Sequence, residues 1–453
     1  MSNDTGITAC LADWIASSET LPLGDVPRAW ARHTLLDWIA VTIAGSDDPL
    51  TRMLADECGA DDERGVPLIG LGRRARPLDA ALINGAAGHA LDFDDVSSRT
   101  VGHPTAPMAP AALAVALAPD ARPAAPGTSL LRALIVGFEV QAVLGESLGQ
   151  PHYQHGFHTT GTIGTFGATA ACASLLGLTA ARTRHALGLA ATQAAGLKSM
   201  FGTMAKPLHA GKAAVNGLLA ARLAARGFTA DESAIEGEQG FARTQAPIGI
   251  RFPAAIDTRG GFAIESALFK YHAACYLTHA TIDAVRQARA AHRLTLDDLA
   301  SMTIHVAGNH RGVCDIETPR TGLNVKFSIR HLAALALDGA DTAALGTYSD
   351  AIARDPRLGA ARDRIALQVE PAGSMGGHEA RVVLHTHDGR RIVEQADVGT
   401  PARDLDAQWR RLVAKAETLT APLLGGARFA RLVDAIDGIE RLPTLAPLAE
   451  ALR

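Results

Sequence analysis

The sequence predicts a mainly α-helical protein with a large all-helical domain and a smaller α+β domain. First, 453 residues exceed a single core of the usual size, so two domains are expected. Second, 47% of the residues are hydrophobic but only 4% are aromatic, so Ala, Leu, Val and Ile must form the core. Ala and Leu favour helices, and Ala lets helices approach closely. Third, strand-like alternation is confined to a segment after residue 265.

Apolar residues recur at helical spacing over residues 6–46, where Gly45 supplies a C-terminal stop. Further helices are predicted over 78–95, running into an acidic turn, and over 108–118, 129–149, 161–178, 180–198 and 210–226. Glycines recur every third residue at 161, 164 and 167. A dinucleotide-binding fingerprint would require a preceding strand, but the polar and aromatic stretch HYQHGFHTT precedes them. The spacing therefore predicts a helix face that packs against another helix.

Strand-like alternation appears in residues 299–308, 363–371 and 379–395. The last of these contains the dipeptide Asp388-Gly389, which predicts a hairpin turn. A helix is expected over 328–340, and residues 403–450 are helical again. We therefore predict a helical domain of residues 1–265 and 403–453 with an α+β domain of residues 266–402.

Charge and composition exclude several classes of protein. A net charge of -4 disfavours nucleic-acid binding. The sequence contains no run of 18 apolar residues, so no membrane span is predicted. The N-terminus carries Asp4 and no basic segment, so it does not resemble a secretory signal. The five cysteines are scattered and never form CxxC. These features favour a cytoplasmic protein.

Four polar stretches in apolar surroundings are candidate sites: GHALDFDDVSSRTVGHP (88–104), HYQHGFHTTG (152–161), AKPLHAGK (205–212) and ALFKYHAACYLTH (267–279). His89 and Asp92 could share a helix face, but HExxH is absent, so no metal is expected. For the acidic run DFDD (92–95), the sequence favours neither of two interpretations, a solvent-exposed helix end or a functional role. PAGSMGG around Ser374 is a near miss to GxSxG and predicts a turn. Cys275 is expected in the core.

The remaining chemistry is proton transfer on an anion. A substrate with two or three carboxylates needs fixed cations, and abstraction of a proton next to a carboxylate needs a base and a stabilising cation. Lys206 and Lys270 lie in apolar, small-residue stretches, where desolvation can tune an ammonium group. Surface lysines with buried stems are the alternative.

Collected together, these stretches resemble the MmgE/PrpD family, which includes 2-methylcitrate dehydratases, cis-aconitate decarboxylases and an iminodisuccinate epimerase. The resemblance rests on HALDFDDV…GHP, GFHTTGTIGTFGATAACASLLGL and AKPLHAGKAAVNGLLAARLAARGFTA, and it covers most of the chain. It implies a homodimer, no metal or organic cofactor, and an α+β domain that acts as a lid. The family positions carried onto this chain are Asp92, His103, His158, Lys206 and Lys270.

The chain departs from the family pattern in places. Val96 stands where decarboxylase-like members carry threonine, and His331 replaces a tyrosine in FSIRH. The resemblance implies a hydro-lyase of the 2-methylcitrate dehydratase type, with an epimerase, a decarboxylase and a non-catalytic carboxylate-binding protein as alternatives. In this hypothesis Lys206, Lys270 and His103 hold carboxylates, His158 is the acid/base group, and Asp92 orients a histidine or contacts a hydroxyl. Additional substrate contacts are assigned to Tyr153, Thr159, Arg330 and His331.

Overall fold

The computed structural model describes residues 6–59, 62–119, 126–246 and 248–452. The N-terminal segment, which does not resemble a secretory signal, begins at Met1. Its residues 1–5 lie outside the residues that the structure describes. The chain divides into two compact units, Met1–Phe269 together with Arg403–Arg453, and Lys270–Ala402.

The helices of the described chain are α1 (Ile7–Ala16), α2 (Asp25–Gly45), α3 (Pro49–Glu57), α4 (Pro77–Ala90), α5 (Thr105–Ala116), α6 (Gly127–Gln154), α7 (Thr159–Leu176), α8 (Ala180–Ala191), α9 (Ala205–Ala225), α10 (Phe241–Gln245), α11 (His279–His292), α12 (Gly322–Val325), α13 (Ile329–Asp338), α14 (Asp350–Ala353), α15 (Pro356–Arg362), α16 (Leu405–Leu424), α17 (Gly426–Asp437) and α18 (Ala446–Ala451). The strands are β1 (Val66–Leu68), β2 (Arg73–Ala75), β3 (Leu299–Val306), β4 (Ile365–Val369), β5 (Glu379–Thr386) and β6 (Arg391–Asp397). The mainly α fold class is thereby confirmed, with a smaller α+β region in the second unit.

The second unit contains one four-stranded sheet with the order β4-β3-β5-β6. Strand β3 pairs with β4 in parallel and with β5 in antiparallel orientation, and the β5–β6 hairpin turns at Asp388-Gly389 as predicted. The sequence analysis missed helices α3 and α10 of the first unit, and also its short antiparallel hairpin β1–β2. Its strands have three residues each, too few for a period-2 pattern to be recognised.

The glycine-rich face of α7 packs against neighbouring helices, as predicted. A Cβ atom at Gly164 would lie 2.7 Å from the Pro107 ring in α5, and one at Gly167 would lie 2.4 Å from Gln141 in α6. Helix α7 follows α6 and a short loop rather than a strand. Larger side chains at these glycines would therefore separate the helices.

Helices α4 and α9 also meet through glycines. A Cβ atom at Gly85 would lie 2.8 Å from Gly211 Cα, and one at Gly211 would lie 2.3 Å from the carbonyl oxygen of Leu82. This close approach matters for the candidate site, because His89 lies in the last turn of α4 and Lys206 in the first turn of α9.

Among the described helices, α6 is long and apolar enough, by length and composition, to cross a membrane. However, 83% of its most apolar 18-residue window is buried within the protein. Its buried residues Val136, Val140 and Leu144 pack in a core cluster with residues of α1, α7 and α8. This burial is that of a core helix.

A buried ion pair joins the C-terminal segment to the N-terminal part of the first unit. Lys415 in α16 places its Nζ 2.6 Å from Asp37 Oδ1 in α2 and 2.8 Å from the carbonyl oxygen of Phe93. The same ammonium group lies 4.0 Å from the centre of the Phe93 ring. Because Phe93 lies within the acidic run, α16 holds the backbone of that run in place.

The acidic run is not a solvated helix end, because Asp94 and Asp95 are both completely buried. Asp95 Oδ2 accepts a hydrogen bond of 2.8 Å from the Thr105 hydroxyl. Burial, and then the neighbouring Asp37 and Asp94 carboxylates, raise the pKa of Asp95 well above its ordinary value. Asp95 therefore keeps its proton at pH values where an exposed aspartate is ionised.

We predict that Lys415→Met destabilises the protein by about 3–5 kcal/mol, because it leaves the buried Asp37 carboxylate without its ammonium partner. Urea unfolding measures the change. Arg410→Met, at an exposed position of the same helix, is the control and should cost less than about 0.5 kcal/mol. Equal losses in the two variants would contradict a structural role for the ion pair.

The raised pKa of Asp95 predicts a pH-dependent stability difference. In the unfolded chain this carboxyl loses its proton near its ordinary pKa of about 3.9, whereas the folded protein retains the proton to higher pH. The contribution of Asp95 to stability therefore falls as pH rises through that window. Asp95→Asn cannot lose a proton, so its free energy of unfolding relative to wild type should increase between pH 5 and pH 8. The exposed variant Asp434→Asn should show no such trend in urea unfolding.

Candidate active site

The loop between α4 and α5 presents an aspartate in a rare backbone conformation. Asp92 has a φ of 51°, in the left-handed region that non-glycine residues seldom occupy. Aspartate tolerates this region better than most residues, because its short side chain can hydrogen-bond locally. Such strain persists only where surrounding contacts fix the backbone, and it clusters at functional sites.

Asp92 links the first of the predicted lysines to the first of the predicted histidines. Lys206 Nζ lies 2.7 Å from Asp92 Oδ1, and His103 Nε2 lies 3.4 Å from the same oxygen. Asp92 retains 33% side-chain exposure, whereas Lys206 and His103 retain 15% and 12%. These three groups therefore share one carboxylate oxygen in a partly accessible position.

A second carboxylate, Asp94, lies on the buried side of the same group. The two oxygens of Asp94 are 3.0 and 3.1 Å from His89 Nδ1, and Oδ2 is also 3.0 Å from His103 Nδ1. Burial alone would raise the pKa of Asp94, but His103 and His89 beside it hold that pKa well below its ordinary value. Asp94 is therefore an ionised carboxylate inside the protein.

His158 completes the cluster from the residue that precedes α7. Its ring stacks near His89 with centroids 5.8 Å apart, and its Nδ1 lies 3.0 Å from His209 Nδ1. Burial, and then the nearby His89 and Lys206, lower the pKa of His158 well below its ordinary value. Burial and Lys206 also lower the pKa of His209. His158 is thus a neutral imidazole at neutral pH.

Backbone contacts explain why these side chains converge. The His103 amide donates to the Thr160 hydroxyl at 3.1 Å, and Pro104 disfavours helix at His103, so α5 begins only after it. The His158 amide donates to the Gly196 carbonyl at 3.0 Å. The loops that carry His103 and Gly196 are thereby fixed against His158 and the first turn of α7.

Two predicted substrate contacts, Tyr153 and Thr159, also lie in the first unit. Tyr153 is half-buried, and Lys198 Nζ lies 3.8 Å above its ring. Thr159 is buried and donates its hydroxyl hydrogen bond to the carbonyl of Val101. That contact holds the loop before His103. Direct contact of Tyr153 or Thr159 with a substrate stays a prediction.

The other predicted site residues belong to the second unit. Lys270, its first residue, is 2% exposed, and His331 in α13 is completely buried. Arg330 lies 3.5 Å from Glu317 and donates to the carbonyl of Asp315 at 3.3 Å. The carboxylate-binding role of Lys270 and the substrate contacts of Arg330 and His331 stay predictions.

Sequence reasoning did not select three residues that contact the predicted ones, namely His89, Asp94 and His209. His89 and Asp94 stand within the polar stretch already noted, but their spacing alone does not separate them from Asp92. His209 stands within the stretch AKPLHAGK, also noted above. It lies one helical turn after Lys206, and this i, i+3 spacing was the signal that both face the same way. Ser374, by contrast, is exposed and donates to the Pro371 carbonyl in a turn, as predicted.

The cluster also has the composition of a metal site, which the sequence analysis did not expect. His89, Asp92, Asp94 and His103 each offer a ligand atom within 4.8 Å of the others. Lys206, however, lies against Asp92, and both rings face Asp94. These residues could hold a divalent cation only if Lys206 were displaced from Asp92, so ammonium and N–H groups are the partners that the carboxylates have.

Two domain models of one protein family match most of the chain. The MmgE/PrpD N-terminal domain model matches residues 9–247, and the MmgE/PrpD C-terminal domain model matches residues 272–438. A cis-aconitate decarboxylase of Aspergillus terreus is 26% identical over 99% of this chain and 96% of its own length. A human protein of the same name is 37% identical over 37% of this chain and 35% of its own. The cis-aconitate decarboxylase-like protein oryM of Aspergillus oryzae is 33% identical over 49% and 47%.

The left-handed conformation of Asp92 predicts a difference between two substitutions that both remove its charge. Asp92→Val should be about 1–2 kcal/mol less stable than Asp92→Asn, because a β-branched side chain is disfavoured at positive φ whereas asparagine tolerates it. Urea unfolding of the two variants provides the comparison. Indistinguishable stabilities would show that the loop relaxes without cost.

Proposed function

Because the chain belongs to the MmgE/PrpD family, we propose that it is a lyase acting on a small di- or tricarboxylic acid through an anion formed next to a carboxylate. The observation that carries this proposal is the convergence of Asp92, His103, His158 and Lys206 within the first unit. Ammonium and imidazole groups from separate segments of the chain suit an anionic substrate, since a carboxylate requires fixed hydrogen-bond donors when it leaves water.

In this proposal Lys206 binds a substrate carboxylate and Asp92 holds the ammonium group ready for it. The Nζ–Oδ1 contact of 2.7 Å fixes the position of the lysine, and 15% exposure leaves the side chain accessible. His103, on the same Asp92 oxygen, is a second donor to the substrate. Preorganised donors of this kind stabilise charge that develops during the reaction without a reorganisation cost.

His158 is the acid/base group of the proposal. Its pKa lies well below the ordinary value, so the ring is neutral and has a lone pair that can accept a proton. Once an anionic substrate is bound, the protonated form of His158 becomes less costly, because the substrate's negative charge opposes the effect of Lys206. The proton taken up can then be returned to carbon or to a departing hydroxyl group.

Decarboxylation is the reaction to test first, because the relatives named above are cis-aconitate decarboxylases. In that reaction the bond between carbon and a carboxylate breaks, carbon dioxide leaves, and the electron pair stays on the substrate until a proton replaces the carboxylate. Lys206 and His103 would stabilise the anion, and a protonated imidazole would supply the proton.

Dehydration, or epimerisation of a dicarboxylate, is the second candidate. The observation that favours it is Val96, since the resemblance to decarboxylase-like members implies threonine at this position. These reactions share the anionic intermediate and differ in whether hydroxide leaves or the opposite face is reprotonated. A 2-methylcitrate-type acid and iminodisuccinate are therefore the comparison substrates. We also propose that the enzyme is a cytoplasmic homodimer that requires no cofactor, and that Lys270 adds a second ammonium group for the substrate.

We predict that Lys206→Ala and His158→Ala each lower turnover by about 100-fold or more, the usual scale for a lost acid/base or charge-stabilising group. The assay follows product formation and deuterium incorporation from D₂O by NMR with cis-aconitate, citrate, 2-methylcitrate and iminodisuccinate. Lys212→Ala in α9 and His155→Ala, both at exposed positions, are matched controls that should retain activity.

Three outcomes are informative. Product from one acid, lost in both site variants, supports the proposal and names the reaction. Thermal stabilisation by an acid without turnover or exchange would instead support a non-catalytic carboxylate-binding protein. Near-normal activity of both site variants on an identified substrate would overturn the roles assigned here.

A further inference from the structure

Asp94 contacts two imidazole rings at once and is inaccessible to solvent. Both of its oxygens face His89 Nδ1, Oδ2 also lies 3.0 Å from His103 Nδ1, and the side chains of His89 and Asp94 are 0% exposed. The His89 and His103 rings meet edge to face, with centroids 4.5 Å apart. The three side chains therefore form one compact unit behind the partly exposed groups of the site.

The protonation pattern of this unit follows from what each group can do. An ionised carboxylate only accepts hydrogen bonds, so the nitrogen atoms that face Asp94 must carry hydrogen. Burial lowers the pKa of His89 to about 4, so its ring is neutral and its single N–H is on Nδ1. His103 lies between two carboxylates, because its Nδ1 is at an ion-pair distance of 3.0 Å from Asp94 Oδ2 and its Nε2 is 3.4 Å from Asp92 Oδ1. With Nδ1 turned towards Asp94, Nε2 faces the groups that would meet a substrate, to which its N–H can donate.

We propose that Asp94 and His89 are positioning residues for His103, with Asp94 fixing the orientation of the His103 ring and His89 fixing Asp94. The proposal rests on the proposed function, in which His103 meets the substrate. Neither Asp94 nor His89 touches the substrate in this arrangement. They hold the His103 ring so that its Nε2 atom faces the substrate.

His89 is suited to this task because it adds a hydrogen bond without adding a charge. A carboxylate buried away from water needs several donors, and a second cation there would have to be desolvated as well. A neutral ring supplies one donor and packs against His103. The Nε2 atom of His89 is buried and has no hydrogen-bond partner among the described residues, so the contact with Asp94 is the polar contact that holds this ring.

The first test is Asp94→Asn. The asparagine amide is uncharged and has one acceptor oxygen, so it favours hydrogen on His103 Nδ1 less than a carboxylate does. We expect the ¹⁵N chemical shifts of His103, assigned by their absence in His103→Gln, to show less hydrogen on Nδ1 than in wild type. With the acid that wild type turns over, kcat should fall by about 100-fold or more while KM changes by less than about threefold, by analogy with the aspartate that orients a catalytic histidine.

The second test compares two substitutions at His89. His89→Asn keeps an N–H group at the position of Nδ1, whereas His89→Leu removes it. We expect His89→Asn to keep the hydrogen on His103 Nδ1 and most of the turnover, and His89→Leu to lose both. His33→Asn is the control, because His33 is likewise buried and has a pKa lowered by burial to about 4, yet it contacts Gln408 and Trp409. This control should leave the His103 signals unchanged.

The two readouts separate this inference from the proposed function. The ¹⁵N measurement requires no substrate, so an unchanged occupancy of hydrogen on His103 Nδ1 in Asp94→Asn overturns the positioning role whether or not activity is found. If that occupancy falls but no acid of the panel is turned over by wild type, the positioning role stands and the proposed function fails. Equal effects of His89→Asn and His89→Leu on the His103 signals would overturn the part assigned to His89.

Discussion

The buried contact of Lys415 with Asp37 and the Phe93 carbonyl is the interaction on which the candidate site depends. It connects α16 in the C-terminal segment to α2 and to the loop that carries Asp92, Asp94 and Asp95. Displacing the loop would leave buried charges without partners, so this contact resists such displacement. The residue next to Asp92 is held in this way.

The loop distributes its three carboxyl groups by environment, although they follow one another within four residues. Asp92 is partly exposed and faces Lys206, Asp94 is buried and ionised between two rings, and Asp95 is buried and keeps its proton. Three identical side chains thus serve as an ion-pair partner, a buried anion and a neutral hydrogen-bonding group. Burial and the neighbouring groups, and not the residue type, decide between these states.

Charge balance in the first unit has a consequence for ligand binding. Asp92 neutralises Lys206, and burial keeps His158 and His209 uncharged at neutral pH. A polycarboxylate must therefore compete with Asp92 for the lysine or bring protons with it.

The sequence by itself determined the mainly helical class, the strands of the second unit, the glycine face of α7 and the stretches that hold Asp92, His103, His158 and Lys206, because periodicity and turn chemistry are local properties. Only the tertiary structure decided that Asp94 is buried against two rings, that Asp95 keeps a proton and that His209 meets His158. The two rings beside Asp94 belong to its own stretch, but its burial, the Asp37 carboxylate near Asp95 and the contact of His209 with His158 depend on segments distant in the sequence. A linear pattern contains no record of such distances, and so it could mark the acidic run as polar but could not separate its members.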